Sequence, residues 1–156
     1  MKNIHTYSID FTELPVEVFT QAVLKMEDVY LGDSYVTAEQ ANHLFTTIAQ
    51  SSNSLLKKIH FERIDLTKLS PGMFSKAVLK MEDVYLGNGE WNVTADQVKA
   101  TLASIVWTDH LKLKKFHVSV FFDEDDDDID LMHVSKALER VKLNIDEYVY
   151  ENESID

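Results

Sequence analysis

The side chains that could carry chemistry in this chain are histidines, tyrosines and a run of carboxylates. Histidine and carboxylate groups bind metals or transfer protons, and tyrosine joins an apolar ring to a hydrogen-bonding hydroxyl. The sequence shows no nucleophile with a positioned base, no glycine-rich phosphate loop and no paired carboxylates in a plausible cleft. It also has no cysteine, which excludes disulfides and thiolate metal sites. We therefore expect a binding protein without a cofactor rather than an enzyme.

The candidate side chains lie in segments that recur along the chain. Residues 23–32 return unchanged as residues 78–87, and each copy contains one tyrosine. Lys57–His60 returns as Lys114–His117, and an imperfect copy opens the chain near Lys2. Repetition of this kind is typical of repeat proteins. We expect residues 1–156 to form one domain of three double units that start near residues 2, 57 and 114.

Each double unit splits into two single units that share one hydrophobic frame. Residues 56–66 read L-x-x-I-x-F-x-x-I-x-L, and residues 26–36 read M-x-x-V-x-L-x-x-S-x-V. Both follow the leucine-rich repeat frame L-x-x-L-x-L-x-x-N/C-x-L. The usual Asn or Cys is replaced by Ile64 in one type and by Ser34 in the other. Because Ile64 cannot satisfy buried backbone groups as Asn does, the loops here must close differently.

The chain resembles the ribonuclease-inhibitor-like class of leucine-rich repeat proteins. Segments 66–71 and 93–97 are similar to the repeats at the sensing end of NOD-like receptors. The resemblance implies an α/β fold of about six units, namely a right-handed solenoid shaped as a short horseshoe. Its parallel β-sheet would lie on the concave side and its helices on the convex side. It also implies a protein-interaction module, such as the ligand-sensing fragment of an innate-immune-type receptor.

Hydrophobic periodicity predicts strands that alternate with helices. Apolar residues at period two predict six strands, near residues 3–9, 27–32, 57–62, 82–87, 114–119 and 141–145. Thr37 and Thr94, each followed three residues later by Gln, predict capping boxes that begin two helices. Ser70 followed by Pro predicts a third helix start, and apolar stripes predict helices near 14–25 and 130–140. Such alternation requires parallel strands and right-handed crossovers.

The predicted strands display one repeated set of side chains on the face opposite the helices. The central column of this set is His5, Tyr30, His60, Tyr85 and His117. Charges before the column alternate in sign from strand to strand, through Lys2–Asn3, Glu27–Asp28, Lys57–Lys58, Glu82–Asp83 and Lys114–Lys115. Since neighbouring strands lie about 4.8 Å apart, each lysine should lie beside a carboxylate. We interpret these charges as a ladder that fixes the strand register, and a partner footprint is the alternative.

A metal site formed by the histidines of the column is disfavoured by distance. A tyrosine strand separates successive histidines, so their backbones should lie about 10 Å apart, whereas zinc needs nitrogens at about 2.0–2.1 Å. Aromatic side chains on a sheet suit protein contact better. The predicted partner-binding residues are Tyr7, Tyr30, His60, Tyr85, His117 and Trp91. Trp91 is included because it lies in an insertion, residues 88–92, and loop packing is its alternative role.

Overall charge narrows the class of partner. The net charge, 15 − 27 = −12, argues against binding to nucleic acid or to an anionic membrane surface. No secretory segment follows Met1, and no apolar run approaches the roughly 18 residues of a membrane span. We therefore expect a protein partner and a cytoplasmic location.

The acidic stretch 123–130 is expected to be a solvated loop, with weak calcium binding or a basic partner as alternatives. Residues 151–156 are expected to form a disordered tail.

Two functions besides partner recognition stay open. The chain opens with a predicted strand and has no obvious polar cap, although terminal units of a solenoid normally need one. A self-assembling solenoid that forms homo-oligomers through its ends is therefore one alternative. The other is an accessory module that recruits substrates to an enzyme complex.

Overall fold

The computed structural model describes residues 3–6, 8–52, 54–87, 92–122 and 129–149. The strands are β1 (Asn3–His5), β2 (Asp28–Gly32), β3 (Lys58–Phe61), β4 (Asp83–Leu86), β5 (Val93–Thr94), β6 (Lys115–Phe122) and β7 (Lys142–Val149). The helices are α1 (Val16–Leu24), α2 (Ala38–Gln50), α3 (Pro71–Val78), α4 (Ala95–Trp107) and α5 (Leu131–Leu138).

The seven strands form one open parallel sheet, which confirms the predicted α/β class. The six predicted strands pair in chain order, β1-β2-β3-β4-β6-β7. The short strand β5 is an addition that the sequence pattern did not predict. It pairs with Val120 and Phe121 of β6, beyond the part of β6 that pairs with β4. Because β7 occupies the other edge of β6, β4 and β5 share one edge.

Three strands end three or more residues away from the predicted end. β1 ends at His5 instead of residue 9, and Ser8 has a φ of 55° that an extended strand cannot contain. β6 and β7 run further than predicted, to Phe122 and Val149, and pair with each other along their whole length. Val120 is fully buried, so the apolar alternation of β6 continues beyond the predicted end.

All five helices contribute to one hydrophobic core on a single face of the sheet. The inward residues Val29, Ile59, Val84 and Phe116 are at most 2% exposed and belong to the same cluster as the buried helix residues. The helices pack against one another in chain order, from α1 to α5. The fold is thus one layer of helices on one layer of parallel strands, and the opposite face of the sheet carries no described helix.

The predicted helix starts are confirmed. Thr37 and Thr94 are the N-caps of α2 and α4, and both form complete capping boxes with the glutamine three residues later. Ser70 caps α3 by accepting a hydrogen bond from the Met73 N–H. Local sequence therefore determines where these three helices begin.

Two buried glutamines close the loops in which the usual Asn is missing. Gln97 Nε2 donates to the carbonyls of Leu66 and Leu69 at 2.6 and 2.7 Å. Gln40 makes the same pair of bonds in the first copy, to Phe11 and Leu14, at 2.7 and 2.9 Å. Both glutamines are at most 1% exposed. The capping-box residue of one unit therefore satisfies the loop carbonyls of the preceding unit, which the sequence pattern left unexplained.

The two residues at the frame position of Asn have different roles. Ser34 is buried, and its hydroxyl lies 3.1 Å from Thr6 Oγ1 and accepts the Ile9 N–H at 3.3 Å. Ile64 is 4% exposed and contributes only apolar packing. The serine thus supplies a polar link between neighbouring loops, while the isoleucine relies on the glutamine bonds for loop closure.

Candidate functional site

Five rings lie in contact across five strands on the helix-free face of the sheet. The parallel register aligns His5, Tyr30, His60, Tyr85 and His117, and these residues are called the aromatic column below. Successive ring centroids are 5.7, 4.1, 3.9 and 4.3 Å apart. The structure therefore confirms that four predicted partner-binding residues, Tyr30, His60, Tyr85 and His117, lie together.

The rings touch because the register places equivalent positions of neighbouring strands side by side. Strand spacing is about 4.8 Å, so rings that stand away from the sheet can meet face to face. His60 and Tyr85 do so, with ring planes only 5° apart. All members of the column except His5 are partly buried. Packing between the rings thus restricts the conformations of these side chains.

A glycine makes room for the ring of Tyr85. A Cβ placed on Gly87 would lie 2.9 Å from Cζ and 3.0 Å from the hydroxyl oxygen of Tyr85. The tyrosine ring therefore covers the backbone two residues further along the chain, just beyond the end of β4. The triplet Tyr-Leu-Gly recurs at residues 30–32, where Gly32 has a φ of 45° that favours glycine. The repeat frame predicts no role for these glycines, although they lie inside the segment that is repeated unchanged.

Alternating charges flank one side of the aromatic column. Asp28 pairs in register with Lys58, Lys58 with Asp83, and Asp83 with Lys115, as the ladder interpretation predicted. In the preceding position, Lys114 Nζ lies 3.8 Å from Glu82 Oε1. The last strand breaks the alternation, because Lys142 is placed opposite Lys115.

Acidic groups flank the other side of the column. His60 Nε2 lies 3.3 Å from Glu62 Oε1, and His117 Nε2 lies 2.8 Å from Asp146 Oδ2. Asn144 pairs in register with His117 on the neighbouring strand β7, and its Nδ2 is 3.4 Å from His117 Nδ1. Glu62 could have been found from the sequence because it follows His60 by two positions on the same strand face. Asp146 was missed because β7 was predicted to end one residue earlier.

The environment of His60 favours its neutral form. Burial against the neighbouring rings lowers the pKa of His60 below its ordinary value of 6.5, and the hydrogen bond to Glu62 opposes this shift only in part. A neutral imidazole stacks on Tyr85 without the cost of desolvating a charge. The ring of His60 is therefore an aromatic surface more than a cationic one at neutral pH.

A shallow pocket of about 200 Å³ opens along the column. Its walls combine the rings with the flanking charges, namely His5, Asp28, Tyr30, Lys58, Ile59, His60, Asp83 and Tyr85. The volume is below the range typical of drug-sized ligands. Its shape and mixed lining suit single side chains of a larger partner better than a small-molecule substrate.

A second cavity, of about 480 Å³, lies between the carboxyl ends of α3 and α4. Its lining includes the cationic side chains of Lys76, Lys80 and Lys112, together with His110. Lys80 Nζ donates to the Ser51 carbonyl at the end of α2, as expected for a base that offsets a helix C-terminus. Because helix C-termini disfavour anions, we interpret these lysines as caps and not as an anion site.

Several predicted features lie outside the described residues. Tyr7 and Trp91 are among them, as are residues 123–128 of the acidic stretch and the tail 151–156. Within the described ranges, no group of three or more His, Cys, Asp or Glu side chains is placed to hold a metal ion. No helix in the same ranges has both the length and the apolar character needed to cross a membrane.

Comparisons of the chain with protein-family models, with curated proteins and with solved structures find no match.

Proposed function

We infer that this chain is a leucine-rich repeat module that binds a protein partner across the aromatic column. The observation that carries the proposal is the contiguous run of rings on the face of the sheet that the helices do not cover. Inward residues of the same strands already supply the core. The outward rings are therefore available for contact, and fixed aromatic rings are the typical anchors of protein interfaces.

Flanking charges indicate the chemistry of the partner. On one side of the column the carboxylates of Glu62 and Asp146 contact its histidines. On the other side Asp28 and Asp83 alternate with Lys58 and Lys115. The chain as a whole has a net charge of −12, which speeds encounter with basic surfaces. A partner segment with an apolar or aromatic side chain for the ring column, bordered by lysine or arginine, would match this surface.

The repeat architecture supports the finer part of the proposal. Six strands of the sheet alternate with five helices in the described part of the chain, and Gln40 and Gln97 hold equivalent loops. We propose that this arrangement is a short leucine-rich repeat horseshoe, with the aromatic column on its concave side. A ligand-sensing role in an innate-immune-type receptor of the cytoplasm follows from the sequence resemblance to NOD-like receptors.

Selection of binding peptides tests the proposal and does not require that the natural partner be identified. A phage-displayed random peptide library would be selected on the wild-type chain, and the dissociation constant of the best peptide measured on two variants. Gly87→Ala forces the Tyr85 ring to move while every aromatic residue is kept. Gly72→Ala is the matched control, because nothing lies within 4 Å of its added Cβ.

The proposal predicts that Gly87→Ala weakens peptide binding about tenfold, as expected when one anchor of an interface is displaced. Gly72→Ala should bind as the wild type does. Equal affinity for all three proteins would show that the selected peptide binds elsewhere, and would remove the aromatic column as the binding surface.

A further inference from the structure

Helix α5 exposes a face that its internal equivalent buries. In α3, Ser75 hydrogen-bonds to Ser104 of α4 at 2.9 Å, and Val78 is fully buried. The matching residues of α5 are Ser135, which is exposed, and Leu138, which is 54% exposed. Two more large apolar side chains extend this surface, Leu131 at 81% and Met132 at 60% exposed. The end of the helix layer is therefore apolar where an internal helix would have a neighbour.

Strand β7 presents an open edge beside this helix. It pairs with β6 through all eight of its residues, and no described strand pairs with its other edge. The Lys142 N–H points to β6, since it donates to the Lys114 carbonyl. Backbone groups alternate in direction along a strand, so the N–H and C=O groups of Leu143 and Ile145 point to the open edge. An edge of this kind is a template for pairing with another strand.

Two copies of β7 placed side by side in antiparallel orientation have complementary charges. An antiparallel pair centred on Asn144 places Leu143 opposite the partner's Ile145, so that the edge-directed backbone groups meet. The same register places Lys142 opposite the partner's Asp146, and this contact occurs twice by symmetry. Lys142 lies opposite another lysine, Lys115, within its own sheet. The partner's carboxylate would therefore supply the opposite charge that the ladder lacks at this strand.

We propose that the chain forms a two-fold homodimer through the β7 edge and α5, with two Lys142–Asp146 pairs between the subunits. A two-fold axis perpendicular to the sheet keeps both helices on the same side, so the exposed faces of α5 meet. The arrangement is closed, because each subunit uses the same surface once. The opposite end of the sheet is a poorer site, since β1 has only three residues.

Charge reversal at the two positions tests the register directly. Sedimentation velocity over a concentration series would be run on the wild type, Lys142→Asp, Asp146→Lys and an equimolar mixture of these variants. Each variant places like charges at both contacts of its own homodimer. The mixture restores one opposite-charge pair at each contact. Lys25→Asp, an exposed lysine next to α1 at the other end of the chain, is the control for a change in net charge.

The proposal predicts a wild-type mass near twice 17.9 kDa at high concentration. Each single variant should raise the dimer dissociation constant about tenfold or more, the mixture should recover it, and Lys25→Asp should leave it unchanged. Circular dichroism melting would show that both variants are folded, including Asp146→Lys, which loses the contact with His117. A monomer at all concentrations, wild-type dimerisation of Lys142→Asp, or a mixture that stays monomeric would overturn the proposal. Masses that grow beyond a dimer would also overturn it, since they indicate head-to-tail assembly.

Discussion

Both faces of the sheet carry residue types that recur from strand to strand, but the two sets of residues have different physical roles. On the inward face, Val29, Ile59, Val84 and Phe116 are buried against the helices, so the repeat there is required for a continuous core. On the outward face the repeated residues are histidines and tyrosines that contact one another and stay partly exposed. The comparison indicates that the inward repeat determines the fold, whereas the outward repeat is available for binding.

The largest effect is expected on the helix side, at the buried glutamine. Gln97→Leu would leave the Leu69 carbonyl without its side-chain donor and the Thr94 N–H without its acceptor. The Leu66 carbonyl would keep the Leu69 N–H as a donor. We expect a loss of roughly 2–4 kcal/mol in the free energy of unfolding, because buried unpaired backbone groups cost about 1–3 kcal/mol each. Urea denaturation measures this loss, and the control is Gln21→Leu, a substitution at an exposed position of α1. A loss below that of the control would show that the loops close without the glutamine.

A smaller effect is expected from the charges beside the aromatic column. Changing Glu82 and Asp83 to lysine replaces attraction by repulsion toward Lys58, Lys114 and Lys115. We expect a loss of roughly 1–2 kcal/mol at low salt, since each exposed pair contributes less than about 1 kcal/mol. The loss should shrink as added salt screens the charges.

The matched control for the charge ladder is Glu13→Lys with Asp109→Lys, which changes the net charge by the same amount at exposed positions. Denaturation midpoints at low and high salt would be compared for both proteins. If the ladder variant unfolds at the same midpoint as this control, the alternating charges do not stabilise the register.

The sequence predicted the inward face well because its information is local. Alternating apolar residues predicted the parallel sheet and the strand order, while two capping boxes and one Ser-Pro pair predicted three helix starts. It did not predict β5, because two residues at the edge of β6 carry no periodicity of their own. The role of Gln97 was also missed, since its bonds reach loop carbonyls about thirty positions away. Contacts between units depend on how the units stack, and the sequence of a single unit does not specify this stacking.

Prediction of the outward face was less complete for the same reason. The repeat placed Tyr30, His60, Tyr85 and His117 in one column, and the register confirms this. The need for a glycine at position 87 depends on the direction of the Tyr85 side chain, which the repeated segment does not specify.

Acid should weaken the fold through the aromatic column. The pKa of His60 in the folded protein lies below its ordinary value of 6.5 because of burial, so the unfolded chain binds more protons in this range. Stability should therefore fall as the pH drops below about 6.5. His60→Phe keeps a ring in the column and removes this contribution. Melting temperatures between neutral and mildly acidic pH should decline less steeply in the variant, and equal slopes would assign the decline to other groups.

The most direct test of the difference between the two faces is one double variant measured in two ways. Tyr30→Ala with Tyr85→Ala removes two rings of the column and no residue of the buried core. The melting temperature and the dissociation constant of the selected peptide would be measured on the same protein, with Trp107→Ala, an exposed ring on α4, as the control. We predict a loss of affinity of about 30-fold, equivalent to about 2 kcal/mol, with little change in melting temperature. Full affinity with a lowered melting temperature would contradict the account, because the column would then serve the fold and not a partner.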